Sequence, residues 1–246
     1  MGGFWNAAAS ERLKLAKSPI WLIVLISPLL SLLIGLFTNL EEVPLEEQGR
    51  VLLSSMASLH AMLLMPIITG ILSAFVCRYE HAGGGWKQLL SLPVSRTSLY
   101  LAKLTVVALL LLGSQLLFAG AAVVAFQYQG IPGGLPWGLI LSSALSGWVA
   151  CFPLAALQLW ASTMWSSFAA PLAVNVMLTL PNILIVNSAK YGPFYPWAQP
   201  MLLMLSNGTM DFGSFTVPFS TLLLTVGGSF AVFLLGGLIY FRRKEI

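Results

Sequence analysis

Six apolar runs, each about 20 residues or longer and free of Asp, Glu, Lys and Arg, constrain this chain more than any other feature. An α-helix needs roughly 20 apolar residues to cross ~30 Å of hydrocarbon. The runs do not alternate between polar and apolar residues and are too long for barrel strands. The sequence therefore predicts an all-α membrane protein with six transmembrane helices. The predicted spans are residues 18–40, 51–77, 104–126, 138–161, 168–187 and 215–241.

The composition supports this class. Hydrophobic residues make up 58% of the chain and charged residues 8%, and the mean hydropathy is +0.88. A soluble domain carries far more charge. The segments between the apolar runs are too short for a soluble domain, so we expect a single transmembrane domain over residues 1–246.

The basic residues are distributed asymmetrically along the predicted spans. If the N-terminus is cytoplasmic, ten of the twelve Lys and Arg residues lie inside and only Arg50 and Lys190 lie outside. Basic residues are retained on the cytoplasmic side. We therefore predict a multi-pass protein of a bacterial-type plasma membrane, with both termini in the cytoplasm. The basic pI of 9.2 then reflects topology, and nucleic acid is not an expected partner.

The N-terminal segment 4–17 places apolar and charged residues at helical spacing. This pattern is typical of a short cytoplasmic helix lying in the membrane interface, with a frayed basic tail as the alternative. A cleavable signal peptide fits less well, because the following apolar run is too long and has no small-residue cleavage site.

The segment before the last run is rich in aromatic residues and Pro, with an apolar centre at residues 201–205 that is too short to cross a membrane. A re-entrant or interfacial external helix would explain it, with Tyr191, Tyr195 and Trp197 at headgroup level. An ordinary aromatic belt explains the same residues equally well.

Motifs for catalysis and cofactor binding are missing from the sequence. No G-x-x-x-x-G-K-[ST] loop is present to hold a nucleotide. His60 and His81 are a helix length apart, without carboxylate or Cys partners, so neither a metal site nor a cofactor is expected on this chain. The predicted spans hold almost no titratable groups, which argues against an intramembrane protease.

Neutral polar side chains do occur within the spans. Asn175, Thr179 and Asn182 share one face of the fifth predicted helix, and His60 lies near several serines in the second. A polar group in hydrocarbon needs a partner, so these four residues either join helices or line a substrate path. The sequence leaves both alternatives open.

The first predicted cytoplasmic loop is the most distinctive string: "EHAGGGWKQLLSLPVSRTSLYLAK", residues 80–103. Together with the basic N-terminal helix and six spans, it resembles the ABC-2-type permeases of ATP-binding-cassette exporters, particularly those of lantibiotic immunity and peptide-antibiotic export. The resemblance implies that ATP and Mg are bound by separate cytoplasmic ABC ATPase subunits. It also implies a second permease, in a homodimer or a heterodimer.

In such exporters this loop holds a coupling helix that docks on the ATPase. The resemblance places it here at residues 86–92, after a glycine turn and before Pro93, and Ser95 is a suitable N-cap for the third span. Glu80 would pair with a basic residue of the ATPase. The predicted coupling residues are Glu80, Gly83, Gly84, Gly85, Trp86, Lys87, Leu89 and Leu90.

The hypothesis from sequence is therefore a transport subunit, not an enzyme, that works in the lipid membrane and expels a hydrophobic or amphipathic peptide antibiotic. Without charged groups at the midplane, the spans suit such a peptide substrate better than a small ion. Exporters of lipid, drug or ion share the same layout and remain alternatives. A non-transporting assembly or sensor protein is the alternative from another class.

Overall fold

The computed structural model describes residues 2–16, 18–81, 85–90, 94–206 and 213–244. Within these ranges the chain is helical and contains no β-strand. The α-helices are α1 Gly2–Ala16, α2 Ile20–Phe37, α3 Leu45–Leu59, α4 Met65–His81, α5 Gly85–Leu90, α6 Arg96–Gln129, α7 Trp137–Ala150, α8 Phe152–Met164, α9 Ala169–Thr179, α10 Asn182–Ile185, α11 Gln199–Leu205 and α12 Phe219–Arg243. A π-helical turn, His60–Leu64, joins α3 to α4.

Five helical stretches among the described residues are long and apolar enough to cross a membrane. They are Ile20–Phe37, Leu45–His81, Arg96–Gln129, Trp137–Met164 and Phe219–Arg243. The all-α prediction is confirmed, and these five stretches correspond to five of the six predicted spans. The remaining one, the fifth predicted span at 168–187, is interrupted between α9 and α10. Pro181 at this break has no amide hydrogen to donate to the carbonyl of Met177 one turn back, so one helical hydrogen bond is missing here.

The third long helix, α6, extends well beyond the predicted span of 104–126. Its 34 residues have a length of about 51 Å at 1.5 Å per residue, which exceeds the ~30 Å hydrocarbon core. The predicted cap is confirmed, because the Ser95 side chain accepts a hydrogen bond of 3.1 Å from the amide of Ser98. The helix ends at Gly130, where a φ of +62° favours glycine.

Both ends of α6 make side-chain hydrogen bonds to the ends of neighbouring helices. At the start of α6, the Arg96 guanidinium donates to the carbonyls of Arg242 and Lys244 at 2.9 and 2.7 Å, and so caps the C-terminus of α12. At the other end of α6, Gln129 Nε2 donates to the carbonyls of Gly35 and Thr38, both at 2.9 Å. We call the Arg96 end the charged end.

Helix α1 forms where the sequence predicts a helix, and it packs against α6 with Ala7, Glu11 and Leu15 buried. Trp5 and Leu13 are exposed on its other side. The helix is therefore docked on the charged end of the bundle along one face. Its position in the membrane interface remains a prediction.

The apolar residues 201–205 lie in the short helix α11, and all of them are buried in the protein. Ser143 and Ser146 of α7 each donate a hydrogen bond of 3.0 Å to α11 carbonyls, those of Met204 and Leu203. Gly147 permits this close contact, since a Cβ there would lie 2.5 Å from Met204 Cγ. A short helix thus exists where the sequence indicated one, and its depth in the bilayer remains a prediction.

Candidate functional site

The predicted coupling helix corresponds to α5, Gly85–Leu90, at the charged end. Gly83 and Gly84 lie outside the described residues, as do residues 91–93. Leu89 and Leu90 belong to α5, but their predicted apolar face also falls outside the described part of the chain. The structure therefore describes only the start of the predicted coupling helix and the side chains that contact it.

Gly85 allows α5 to lie directly against the end of α4. A Cβ at this position would lie 2.8 Å from the carbonyl oxygen of Tyr79 and 2.9 Å from the Cα of Glu80. Real Cβ atoms do not approach backbone atoms so closely, so a side chain at position 85 would push α5 away from α4. The observed fold thus requires glycine here for space, and Gly85 has no positive φ.

Trp86 anchors α5 to the protein interior. Its side chain is only 6% exposed, and its ring meets the Phe241 ring edge-on at 5.3 Å between centroids. The Nζ atoms of Lys103 and Lys244 each lie 5.8 Å from the Trp86 centroid, close enough for cation–π attraction. Trp86 was predicted as a coupling residue on an apolar face of this helix. In the structure its indole is buried against the bundle, and its role in coupling remains a prediction.

His81 links this anchor to α8. Its Nε2 lies 2.7 Å from the carbonyl oxygen of Ser162, which can only accept, and its Nδ1 lies 3.2 Å from the indole Nε1 of Trp86, which can only donate. These two partners require a neutral imidazole with the proton on Nε2. Lys87, by contrast, is exposed.

A closed ring of four ion pairs lies beside α5 and contains Glu80. Lys14 Nζ lies 2.7 Å from Glu11 Oε1 and 2.5 Å from Glu80 Oε1. Lys103 Nζ lies 3.0 Å from Glu11 Oε2 and 2.9 Å from Glu80 Oε2, the latter as a charge contact outside hydrogen-bond angles. Each carboxylate is thus shared by both lysines, and the charges alternate around the ring. We call these four residues the ion-pair ring.

The ion-pair ring is largely removed from solvent. The side chains of Glu11, Glu80 and Lys103 are 2%, 3% and 1% exposed, and that of Lys14 is 25% exposed. Burial alone would lower the pKa of Lys14, but attraction to Glu11 and Glu80 outweighs it and the pKa lies above its ordinary value. Lys14 therefore stays charged at neutral pH.

Glu80 was expected to offer its carboxylate to a basic residue of the ATPase. In the structure this carboxylate is buried against Lys14 and Lys103 of its own chain, and a contact with the ATPase remains a prediction. Sequence reasoning missed Glu11, Lys14 and Lys103 as its partners. Lys103 carried no signal in the sequence, because a lysine directly before a long uncharged run ordinarily reaches the membrane interface without an acidic partner.

The candidate path residue Asn175 makes helix-to-helix contacts. Its Nδ2 donates to the carbonyl of Pro66 at 2.9 Å, and its Oδ1 accepts from the indole of Trp197 at 2.8 Å. Gly70 leaves the room for this amide, because a Cβ there would lie 2.2 Å from Asn175 Nδ2. The Thr179 hydroxyl donates to the Asn175 carbonyl one turn back, at 2.7 Å.

Asn182 compensates for a proline in the neighbouring helix. Pro66 cannot donate the helical hydrogen bond to the carbonyl of Met62, and Asn182 Nδ2 donates to that carbonyl instead, at 2.8 Å. The same nitrogen donates to the carbonyl of Trp197 at 2.9 Å. The same arrangement occurs at Pro28 of α2. Pro28 leaves the carbonyl of Val24 without its helical donor, and the hydroxyl of Ser114 in α6 donates to that carbonyl at 3.2 Å.

His60 begins the π-helical turn and is fully buried. Its Nδ1 lies 2.6 Å from the hydroxyl of Ser27, and its ring stacks on Phe118 at 4.4 Å between centroids. His60, Asn175 and Asn182 thus make hydrogen bonds between helices, whereas the hydrogen bond of Thr179 stays within α9. A substrate path along them remains a prediction. Among the described residues, no group of three His, Cys, Asp or Glu could hold a metal ion.

Comparison with curated proteins gave no match for this sequence. A sequence model of the ABC-2 family transporter proteins matches residues 8–182, about seven-tenths of the chain. The matched region includes all four residues of the ion-pair ring and the whole of α5. The chain therefore belongs to the ABC-2 transporter family, as a multi-pass membrane subunit of an ABC transporter.

Proposed function

We propose that this chain is the permease of an ATP-driven exporter that expels a hydrophobic or amphipathic peptide antibiotic of the lantibiotic type. ATP and Mg bind to separate ATPase subunits in the cytoplasm, and a second permease, identical or different, completes the transport path. The observation that supports coupling to an ATPase is the presence of the short helix α5. This short helix is fixed by Trp86 at the charged end and leaves Lys87 exposed to a partner.

The distribution of charge supports a peptide rather than a small ion. Among the described residues, the buried charged side chains are Glu11, Glu80 and Lys103, and all three belong to the ion-pair ring. The buried polar groups of the middle of the bundle, such as those of Asn175 and Gln115, are neutral. An ion at the midplane would need charged or carbonyl ligands directed at it, whereas an amphipathic peptide needs apolar contact and a few hydrogen bonds.

A groove of about 510 Å³ gives this peptide a candidate contact surface. It lies after the interrupted fifth span and is lined by Leu184, Ile185, Ser188, Tyr191, Phe194 and Tyr195. Its volume is in the range of small-molecule sites and would accept a few bulky side chains. The acids Glu41, Glu42, Glu46 and Glu47, on the predicted outer side, would attract a cationic peptide over roughly one Debye length of ~8 Å.

Orientation in the membrane can be tested by labelling single cysteines. We expect a cysteine replacing Glu46 to react with an impermeant thiol reagent added to intact cells, and one replacing Lys87 to react only after the cells are opened. Both positions are exposed, so access depends on the side of the membrane. The native Cys77 and Cys151 are buried and give a low background. Labelling of the Lys87 position from outside would refute the proposed orientation.

The peptide hypothesis predicts protection of cells. Cells that express the permease with its ATPase should survive higher concentrations of at least one lantibiotic and retain less peptide than cells with the ATPase alone. Tyr191→Ala and Phe194→Ala should reduce this protection severalfold, because both rings are exposed in the groove and their loss removes apolar contact.

Tyr128→Ala is the matched control, since Tyr128 is exposed to the same extent as Phe194, at 71%, but does not line the groove. Equal survival with and without the permease across a panel of lantibiotics would overturn the peptide proposal. Export of a labelled phospholipid in that case would favour a lipid substrate. Protection that persists in both groove variants would overturn only the choice of contact surface.

A further inference from the structure

The ion-pair ring connects three elements that are separate in sequence. Glu11 and Lys14 lie on α1, Glu80 lies in the last turn of α4, and Lys103 lies near the start of α6. Lys103 also donates to the carbonyl of Val76, one turn before Glu80, at 2.5 Å. The α1 helix is thus joined to the α4 end and to α6 by charge contacts as well as by apolar packing.

Helix α5 is in direct contact with this ring. Gly85, its first residue, lies against the backbone of Glu80, and the Trp86 ring lies beside the ammonium of Lys103. A force applied to α5 therefore acts on both Glu80 and Lys103. Because each carboxylate contacts two lysines, Glu80 cannot shift alone without losing two ion pairs.

The chain continues from α1 into the first span through a short turn. The amide of Ser18 donates to the carbonyl of Leu15 at 3.0 Å, so α2 begins almost directly after α1 ends. Only a third of the apolar window of α2 is buried in this chain, which leaves much of that helix without protein contact. Movement of α1 would accordingly change the position of α2.

We propose that the ion-pair ring is the joint that transmits displacement of α5 to α1 and α6 during the ATPase cycle. Its four members are positioning residues, which contact neither nucleotide nor substrate. The inference rests on the proposed coupling of α5 to an ATPase. A buried ion-pair ring adds little stability over apolar side chains of similar volume, but it holds the elements in one fixed arrangement.

The test separates transmission from folding. The double variant Glu11→Gln/Lys14→Gln removes one acid and one base from α1 and leaves Glu80 paired with Lys103. We expect this variant to fold and to retain its ATPase partner, while the substrate exported per ATP hydrolysed falls about tenfold in proteoliposomes of the purified complex, which is within the usual range for coupling between sites. Arg12→Met, which removes an exposed charge from the same helix, should leave this ratio unchanged.

A second variant keeps the test valid if the first one misfolds. Replacing Glu11 with Leu and the other three members of the ion-pair ring with Met preserves approximate volume without burying a charge. Its transport-to-hydrolysis ratio should fall in the same way although the permease stays folded. An unchanged ratio in a folded form of either variant would overturn the inference. If the wild-type permease neither binds an ATPase nor changes its hydrolysis, the proposed function fails first.

Discussion

Lys103→Met is expected to lower the free energy of unfolding of the permease by about 3–5 kcal/mol. Lys103 is 1% exposed and neutralises Glu11 and Glu80 at once. Without its ammonium, two buried carboxylates share only Lys14, and the carbonyl of Val76 loses a charged donor. The loss would appear as a lower midpoint of thermal unfolding for the purified permease in detergent.

Lys87→Met is the control for this variant, because it removes the same charge from an exposed position and should change stability by less than about 0.5 kcal/mol. A further variant, Lys103→Met/Glu80→Met, removes an acid together with the base and leaves Lys14 paired with Glu11. It should therefore be more stable than Lys103→Met alone. Equal midpoints for Lys103→Met and Lys87→Met would show that the ring contacts do not form in the protein.

Sequence reasoning predicted the helices well because hydrocarbon imposes a simple rule on their length and composition. Five spans and the α1 helix follow from uninterrupted apolar runs and helical spacing. The exception, at residues 168–187, is equally apolar but contains Pro181, which interrupts it. Composition alone cannot show whether neighbouring helices compensate for a proline. Here Pro28 lies within α2 and Pro66 lies in the first turn of α4, whereas Pro181 lies at the break between α9 and α10.

The position of the short helix α5 was predicted from the sequence, but the contacts of Trp86 and Glu80 were not. The glycine-rich string and Ser95 correctly indicated a short helix followed by a capped long one. The sequence could not show which way Trp86 points, since its surroundings come from α4, α6, α12 and the residue after α12. These neighbours are His81, Lys103, Phe241 and Lys244. Contacts between residues so far apart in sequence have no local signature. For the same reason, sequence reasoning did not find the partners of Glu80 on α1 and α6.

Trp86→Ala is the second variant with a large expected effect. Truncation of a buried tryptophan typically costs about 3–5 kcal/mol, because apolar contact is lost and a cavity remains. Here the cavity would open between α5 and the ends of α4, α6 and α12, and the ammonium groups of Lys103 and Lys244 would lose their aromatic neighbour. Thermal unfolding of the purified permease measures the loss.

Trp86→Phe separates the aromatic packing of Trp86 from its indole hydrogen bond. Phenylalanine keeps an aromatic face for Phe241 and the two lysines but cannot donate to Nδ1 of His81, so we expect a loss of only about 1 kcal/mol. If α5 couples the permease to an ATPase, the amount of ATPase that co-purifies should fall severalfold with Trp86→Ala and little with Trp86→Phe. The reason is that the buried Trp86 side chain fixes the position of α5, and with it the position of the surface that α5 presents to the ATPase. Equal retention of the ATPase by a folded Trp86→Ala protein would place the docking surface elsewhere at the charged end.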